Sequence, residues 1–217
     1  MEIKIDNSAQ DYLKSLKYME NRVNEIIKNQ NDELAWLLSH PAIYTSGSTD
    51  HKSDLLNNNK IPVIKTNRGG KYTYHGPGQR VVYLMINLNN RKKDIKFFVN
   101  RIEKLIIEIL SNFHIVAEAI PDHHGVFVKK DNGQLYKIAS IGLKVKKWVT
   151  YHGFSININP DLSHYEGIKP CGMSSKFVTS FSDLGYNIKN MEIDKTIEKT
   201  LVKYCLLYTS DAADDVA

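Results

Sequence analysis

The spacing of hydrophobic positions along the chain predicts an α+β domain. Residues 11–29, 94–112 and 194–204 carry apolar side chains three and four positions apart, which is the spacing of an amphipathic helix. Shorter apolar and β-branched runs predict strands at 3–5, 33–38, 42–45, 61–65, 72–74, 80–88, 116–120, 125–129, 135–139, 143–151 and 154–158, with a short element at 174–181. We expect a mixed or antiparallel sheet with packed helices, in a single domain over residues 1–204.

Turn signals between these runs indicate where strands end and how two of them pair. Asp131-Asn132-Gly133 is typical of a hairpin turn, so we expect Lys137 on the second strand of a hairpin. Pro62 has no N–H to donate to a ladder and therefore favours an edge position for its strand. Gly76-Pro77-Gly78 ends the strand that precedes it.

Composition and charge exclude several classes of protein. The 217 residues are 42% hydrophobic and 24% charged, as in an ordinary globular protein. The sequence shows neither an apolar run near the ~20 residues that cross a bilayer nor a secretory signal, so we expect no membrane partner. The net charge of +5 comes without any RNA-binding or zinc-finger motif, so we expect no nucleic acid partner either. A basic face could meet an acidic protein or be only a solvated surface.

The two cysteines, Cys171 and Cys205, form no disulfide framework. A reducing cytoplasm is therefore expected, in which a catalytic thiol would remain usable. From Cys205 the chain reads CLLYTSDAADDVA, which resembles a translated sequencing adapter, so we expect residues 205–217 to be a non-native tail. Removing its three aspartates would raise the net charge from +5 to +8.

Candidate chemistry begins with one thiol and one amine. Cys171 lies between a proline and a glycine, and Lys137 lies near the start of a strand-like run. A thiolate can attack a thioester while an amine carries the proton, so the two groups would suffice for acyl transfer. Taken alone, a single cysteine is more often a small buried hydrophobe, and a strand lysine is more often solvated.

Three blocks of sequence resemble the lipoyl(octanoyl) transferases, also called the lipoate–protein ligase B family. They are Arg68-Gly69-Gly70 with TYHGPGQ at 73–79, KIASIG at 137–142 through WVTYHG at 148–153, and Pro170-Cys171-Gly172 with VTS at 178–180. The similarity extends over about residues 10–185. It implies the catalytic-domain fold of biotin and lipoate ligases and a reaction without a cofactor. That reaction would transfer an octanoyl group from octanoyl-acyl carrier protein to a lysine on lipoyl domains of 2-oxoacid dehydrogenases or on glycine cleavage H protein.

The resemblance also implies roles for individual residues. Cys171 would be the nucleophile that forms an octanoyl thioester, and Lys137 would stabilise its thiolate or take the proton of the incoming lysine. His75 and His152, each expected at the end of a strand and before a glycine, would line the site, although a hydrogen-bonded structural histidine is equally open. The complete set expected at the acyl site is Arg68, Gly69, Gly70, Lys71, Tyr72, Thr73, Tyr74, His75, Ser140, Ile141, Gly142, His152, Gly153, Phe154 and Ser155.

Neither a metal nor a nucleotide is expected from the sequence. His123 and His124 are adjacent, and sequence neighbours rarely point at one ion. The glycine motifs match neither a phosphate-binding loop nor a dinucleotide fingerprint.

Three alternatives to the transferase remain open at this point. An ATP-dependent lipoate or biotin ligase on the same fold would activate a free acid as an acyl-adenylate and would need no thiol, so the setting of Cys171 argues against it. A non-catalytic scaffold would bind acyl carrier protein or a lipoyl domain without turnover. A cysteine hydrolase would discharge the thioester to water.

Overall fold

The computed structural model describes residues 1–56, 61–121, 123–169 and 177–210, with side chains in the last stretch up to residue 204. Cys171, residues 174–176 of the element predicted at 174–181 and the side chains of the expected tail lie outside the described residues. The elements in chain order are β1 (Glu2–Ala9), α1 (Tyr12–Ile27), β2 (Leu34–Ser39), β3 (Ile43–Ser46), β4 (Val63–Lys65), β5 (Thr73–His75), β6 (Gln79–Met85), α2 (Ile95–Ser111), β7 (Glu118–Ile120), β8 (His123–Lys129), β9 (Leu135–Lys146), β10 (Val149–Asn157) and α3 (Asn190–Ser210).

Two sheets are present in the described part of the chain. Seven strands form the larger sheet in the order β1-β2-β6-β10-β9-β8-β7, in which only β1 and β2 pair in parallel. The smaller sheet has the order β4-β3-β5, so the edge position predicted for the strand after Pro62 is confirmed. The predicted α+β class, with a mostly antiparallel sheet and packed helices, is confirmed.

Helices cover both faces of the larger sheet. On one face, α2 and α3 pack on Leu37, Val82, Leu84 and Phe154. On the other face, α1 packs on a smaller cluster that contains Trp36, Val81, Tyr83 and Tyr151. A third cluster joins the smaller sheet to the chain that follows β10, and it contains Tyr44, Ile61, Tyr72, Tyr74, Tyr165, Ile168 and Val178.

Aspartate caps begin the first two helices. The side chain of Asp11 accepts a hydrogen bond from the backbone N–H of Lys14 at 2.9 Å, and Asp94 accepts one from Phe97 at 2.9 Å. Both helices therefore start where the sequence places them. The third helix begins at Asn190, four residues before the predicted start.

The prediction of one strand over residues 143–151 is wrong. Lys147 and Trp148 have φ values of 48° and 64°, and they form a two-residue turn between β9 and β10. Apolar and polar side chains alternate on both sides of this turn, so the pattern shows no break there. The turn also contains none of the Gly or Asn residues that usually adopt positive φ. The strand predicted at 135–139 and the first part of the one predicted at 143–151 therefore form a single strand, β9, which continues to Lys146.

Candidate functional site

A narrow cleft lies on the face of the larger sheet that α1 covers, between that sheet and the loop before β5. Its floor is built from small residues at the centre of the sheet. Ser140 of β9 pairs with Ser155 of β10, and Gly142 pairs with Gly153. Tyr83 of β6 lies opposite Gly153 on the other side of β10. The cleft is a tight slot, because the centre of a water-sized sphere can reach only about 40 Å³ of it.

Gly142 shows why the floor needs small residues. A Cβ atom at this position would lie 3.2 Å from the backbone oxygen of Gly69 and 3.3 Å from Cδ of Arg68. The absence of a side chain therefore lets the loop of the first sequence block approach β9, where Gly69 donates its N–H to the oxygen of Leu143 at 2.8 Å.

Arg68 fixes the wall of the cleft formed by that loop. Its guanidinium donates to both the hydroxyl and the backbone oxygen of Thr45 on β3, at 2.8 and 2.7 Å from Nη2, and to the oxygen of Gly69 at 2.9 Å from Nη1. The side chain is buried. The loop is thereby bonded to the smaller sheet at one point and to the larger sheet at another.

Most of the residues predicted for the acyl site surround this cleft. Its lining comprises Tyr12, Arg68, Gly70, Lys71, Tyr72, Thr73, His75, Val81, Tyr83, Ser140, Ile141, Gly142, His152, Gly153, Phe154 and Ser155. The side chains of Ile141 and Phe154 pack in the core on the opposite face of the sheet, so these two residues border the cleft through their backbone.

Two residues predicted for the acyl site and the predicted catalytic Lys137 lie outside the lining, and three lining residues were missed. Gly69 is set back against β9, and Tyr74 turns into the cluster of the smaller sheet, where its hydroxyl is 2.9 Å from Nδ1 of His164. Tyr12, Val81 and Tyr83 were missed because they sit at ordinary apolar positions of α1 and β6. The strand register identifies the two β6 residues, because it places Tyr83 opposite Gly153 and Val81 opposite Ser155. Tyr12 reaches the cleft through the packing of α1, where its ring stacks on His75.

Lys137 is on the same face of β9 as the cleft floor. Lys137 lies opposite Phe127, and Ser140 lies opposite Gly125, with Ile138 as an extra residue in β9 between the two pairs. Since residues two apart on a strand point to the same face, Phe127 and Gly125 share a face, and so do their partners. The predicted position of Lys137 on the second strand of a hairpin is confirmed.

The amine of Lys137 is buried without a hydrogen-bond partner among the described residues. The residue is 3% exposed, and Nζ lies 5.2 Å from the centre of the Phe127 ring. Gly125 makes room for it, because a Cβ there would lie 2.7 Å from Cε and 3.3 Å from Nζ. A buried amine that pairs with no carboxylate is costly, which marks it as a candidate functional group.

The backbone of Lys137 is bonded to the chain that follows Cys171. Its oxygen accepts a hydrogen bond from the N–H of Thr179 at 2.9 Å, and Lys137 and Val178 form an isolated parallel bridge. On the other side of Cys171, the N–H of Lys169 donates to the oxygen of Asp54 at 2.8 Å. The described residues that flank Cys171 are therefore held on both sides.

Three buried histidines remain neutral near pH 7. Burial lowers the pKa of His75 to about 3, with the neighbouring His40 contributing in the same direction. Burial, then the charges of Arg68 and Lys144, lower the pKa of His152 to about 3. Burial also lowers the pKa of His40 to about 4. These rings can donate and accept hydrogen bonds but carry no charge into the cleft.

His75 and His152 differ from each other in setting. His75 ends β5, as predicted, and its Nδ1 is 2.7 Å from Oε1 of Gln79. The prediction for His152 is wrong, because it lies inside β10 with φ of 58° and not at a strand end. Nε2 of His152 has no partner among the described residues, although the atom is buried.

The buried histidines predict that acid destabilises the protein. Each binds a proton in the unfolded chain below pH 6.5 but not in the folded chain until about pH 4 or 3. The free energy of unfolding should therefore fall as the pH drops from 6.5 towards 4, by about 1.4 kcal/mol per pH unit for each histidine. Urea unfolding at pH 7, 6 and 5 measures this slope. His40→Gln should reduce this slope by the contribution of one histidine, about 1.4 kcal/mol per pH unit. A free energy of unfolding that does not change with pH in the parent would contradict these assignments.

Neither metal nor membrane features are present among the described residues. No group of three or more His, Cys, Asp or Glu side chains is arranged there to hold a metal ion. His123 and His124 are adjacent on β8 and so point to opposite faces. None of the helices in this part of the chain has the length and apolar character of a bilayer-spanning segment.

The sequence is similar to one family model and to several known proteins that share a single name. A model of the lipoyl protein ligase A/B catalytic domain matches residues 11–204. The chain is 48% identical to an octanoyltransferase of Ehrlichia canis, over 92% of this chain and 93% of that protein. It is 44% identical to an octanoyltransferase of Wolbachia pipientis subsp. Culex pipiens, over 92% of this chain and 97% of that protein.

Solved structures share the fold at low sequence identity. A bipartite lipoate protein ligase from Thermoplasma acidophilum superposes with a TM-score of 0.71 at 12% identity, covering 95% of this chain and 84% of that chain. The biotin protein ligase of Aquifex aeolicus in complex with biotin and ATP gives a TM-score of 0.54 at 13% identity, with 97% and 72% covered. The predicted likeness to the catalytic domains of lipoate and biotin ligases is confirmed.

Proposed function

We propose that this chain, an acyltransferase that belongs to the octanoyltransferases of the lipoyl protein ligase A/B family, works through a thioester on Cys171. The octanoyl donor in this proposal is octanoyl-acyl carrier protein. The acceptor is a specific lysine on a lipoyl domain, as in 2-oxoacid dehydrogenases or the glycine cleavage H protein. Family membership rests on the sequence relatives, while the donor, the intermediate and the roles of individual residues are proposals.

The observation that carries the proposal is the buried amine of Lys137 on the cleft face of β9. It has no hydrogen-bond partner among the described residues. An ammonium near a thiol lowers the thiol pKa from its usual ~8.5, and so supplies thiolate at neutral pH. Cys171 precedes Thr179, which bonds to Lys137, by eight residues. A chain of eight residues spans at most about 28 Å, so the contact is within reach.

The proposed reaction has two steps that share the same two residues. In the first step, the Cys171 thiolate attacks the octanoyl thioester of the donor, the C–S bond to pantetheine breaks, and the leaving pantetheine thiolate takes a proton from the Lys137 ammonium, which becomes a neutral amine. In the second step, the acceptor lysine amine attacks the Cys171 thioester, the C–S bond breaks, and Lys137 as a neutral amine takes the proton of the attacking nitrogen. The product amide is more stable than either thioester, which drives the transfer forward.

The cleft would hold the acyl chain during both steps. Its floor of serine and glycine residues leaves space between the sheet and the loop that Arg68 anchors. Burying an alkyl chain contributes about 0.8 kcal/mol per CH₂, so an octanoyl group with six CH₂ groups would gain about 5 kcal/mol. This gain would select octanoyl over much shorter chains.

The test of the function is an octanoyl transfer assay with purified components. Octanoyl-acyl carrier protein and an apo lipoyl domain, without ATP, should give octanoylated lipoyl domain. Transfer that requires ATP and free octanoate would instead favour the ligase alternative. Release of octanoate to water, without modified lipoyl domain, would favour the hydrolase. Binding of either protein without turnover would favour the scaffold.

Arg68→Lys is expected to separate geometry from charge in the cleft wall. Lysine keeps the positive charge but cannot bond Thr45 and Gly69 together. We expect a loss of about 1–3 kcal/mol in the free energy of unfolding and a higher KM for the octanoyl donor. Arg22→Lys is the matched control, because Arg22 is also buried but pairs with Glu2, away from the cleft. An unchanged KM in Arg68→Lys, or an equal rise in the control, would contradict the role of Arg68.

We further propose that residues 1–204 form the catalytic domain in the cytoplasm and that residues 205–217 are a non-native tail. The match of the family model to residues 11–204 supports this boundary, although α3 continues to Ser210. A chain ending at Tyr204 should keep the transfer rate of the full chain. Loss of activity in that shortened chain would assign a function to the tail.

A further inference from the structure

A series of buried hydrogen bonds connects the cleft with the chain that follows Cys171. Gln79 at the start of β6 and Asn157 at the end of β10 lie directly opposite each other. Gln79 Oε1 is 2.7 Å from Nδ1 of His75, and Gln79 Nε2 donates to Oδ1 of Asn157 at 2.9 Å. Asn157 Nδ2 donates to the backbone oxygen of Thr179 at 3.0 Å. Both amides are almost fully buried, at 2% and 4% exposed.

The backbone oxygen of Thr179 sets the direction of every bond in this series. A carbonyl oxygen only accepts, so Asn157 must turn its Nδ2 towards Thr179 and its Oδ1 towards Gln79. Gln79 must then offer Nε2 to Asn157 and Oε1 to His75. The ring of His75 is left to donate from Nδ1.

The second nitrogen of His75 follows from the first. Burial keeps the pKa of His75 at about 3, so the neutral ring carries one proton near pH 7. With that proton on Nδ1, Nε2 holds a lone pair. Nε2 makes no hydrogen bond to the described residues, and His75 lines the cleft.

Tyr165 closes the series from the side of the smaller sheet. Gln79 Nε2 also donates to the Tyr165 hydroxyl at 2.9 Å, and that hydroxyl is 3.1 Å from Oδ1 of Asn157, to which it donates. A hydroxyl can donate or accept, so these contacts fit the amide orientations set by the Thr179 oxygen without adding a constraint of their own. An independent constraint comes from the backbone oxygen of Tyr74, to which Gln79 Nε2 donates at 3.3 Å, and it requires the same orientation of the Gln79 amide.

We propose that Gln79 and Asn157 are positioning residues that hold His75 as the Nδ1–H tautomer, so that Nε2 accepts a hydrogen bond from an N–H group of a substrate. This inference rests on the proposed function for the identity of the substrates. The octanoyl chain carries no N–H donor. The donors available are the amides of the pantetheine arm on acyl carrier protein and the amine of the acceptor lysine.

The tautomer is measured directly by ¹⁵N NMR of the full chain labelled at histidine, with His75 assigned by comparison with His75→Asn. The parent should show a protonated Nδ1 and an unprotonated Nε2. Gln79→Met keeps the length of the side chain but removes the acceptor, so the Nε2–H form should appear. Gln79→Glu retains an acceptor opposite Nδ1 and should restore the parent pattern.

The kinetic test follows the two half-reactions separately by rapid quench and intact mass. In Gln79→Met we expect kcat to fall about 10- to 100-fold, as for small misplacements of reacting groups, with KM for the donor within about threefold of the parent. Slower loading of Cys171 would identify the pantetheine amide as the bound donor, and slower discharge would identify the lysine amine. Gln79→Glu should recover part of the lost rate.

Thr150→Val is the matched control for lost stability. Thr150 is fully buried on β10, and its hydroxyl donates to the backbone oxygen of Leu84 at 2.7 Å, outside the series. This variant should lose stability yet keep the tautomer and kcat. An unchanged tautomer in Gln79→Met, or a changed tautomer with both half-reactions at parent rates, would overturn the proposal. A parent that forms no thioester would refute the proposed function but leave the tautomer measurement valid.

Discussion

Lys137→Met is expected to lower the rate of octanoyl transfer by about 10²–10⁴-fold, the usual contribution of a positioned proton carrier. The same change should leave the free energy of unfolding equal or higher. The amine is 3% exposed and has no hydrogen-bond partner among the described residues, so methionine removes a desolvated polar group and keeps most of the packing beside Phe127. A loss of activity without a loss of stability is the signature of a group retained for chemistry.

The reactivity of the Cys171 thiol separates the two parts of this role. If Lys137 stabilises the thiolate, the pH midpoint of iodoacetamide alkylation at Cys171 should move upwards in Lys137→Met, towards the ~8.5 of a free thiol. Lys146→Met is the control, because Lys146 is an exposed lysine on the same strand that bonds Asn24. Parent activity in Lys137→Met, or an equal loss in the control, would remove Lys137 from the mechanism.

Cys171→Ala is expected to abolish ATP-independent octanoyl transfer. Without the thiol, the octanoyl group cannot form a thioester with the enzyme, so the acceptor lysine has no enzyme-bound thioester to attack. The chain offers its own control, since Cys205→Ala removes the other cysteine, in the expected tail. We expect parent rates in that control, measured as octanoylated lipoyl domain per unit time.

Residual transfer in Cys171→Ala would contradict the thioester route. Rates near the parent would indicate direct transfer between the two carrier proteins. A loss that appears equally in Cys205→Ala would point to a general effect of cysteine substitution on the fold, which the free energy of unfolding of both variants would reveal.

The sequence predicted the fold well where spacing and turn chemistry agreed. The helices that begin at Asp11 and Asp94 and the hairpin at Asp131-Asn132-Gly133 all form as expected. The β9–β10 turn was missed because Lys147 and Trp148 adopt positive φ without glycine or asparagine. The pairing of two long central strands imposes that conformation, and the local order of apolar and polar residues cannot predict it.

The three sequence blocks contain most of the residues that line the cleft. The lining residues on β6 could be found only from the strand register. Tyr83 reaches the cleft only because β6 pairs with β10 at Gly153, a contact between residues far apart in the chain. His152 was placed at a strand end by its neighbouring glycine, yet both residues lie inside β10. The roles assigned to Lys137 and Cys171 come from the resemblance to a family, and they remain predictions.

The most direct test of the central claim is the intact mass of the protein after mixing with octanoyl-acyl carrier protein in the absence of ATP. The thioester route predicts one octanoyl adduct on the parent and none on Cys171→Ala. That adduct should disappear when an apo lipoyl domain is added, and the lipoyl domain should gain the same mass. A folded parent that gains no adduct, yet octanoylates the lipoyl domain, would contradict the thioester at Cys171.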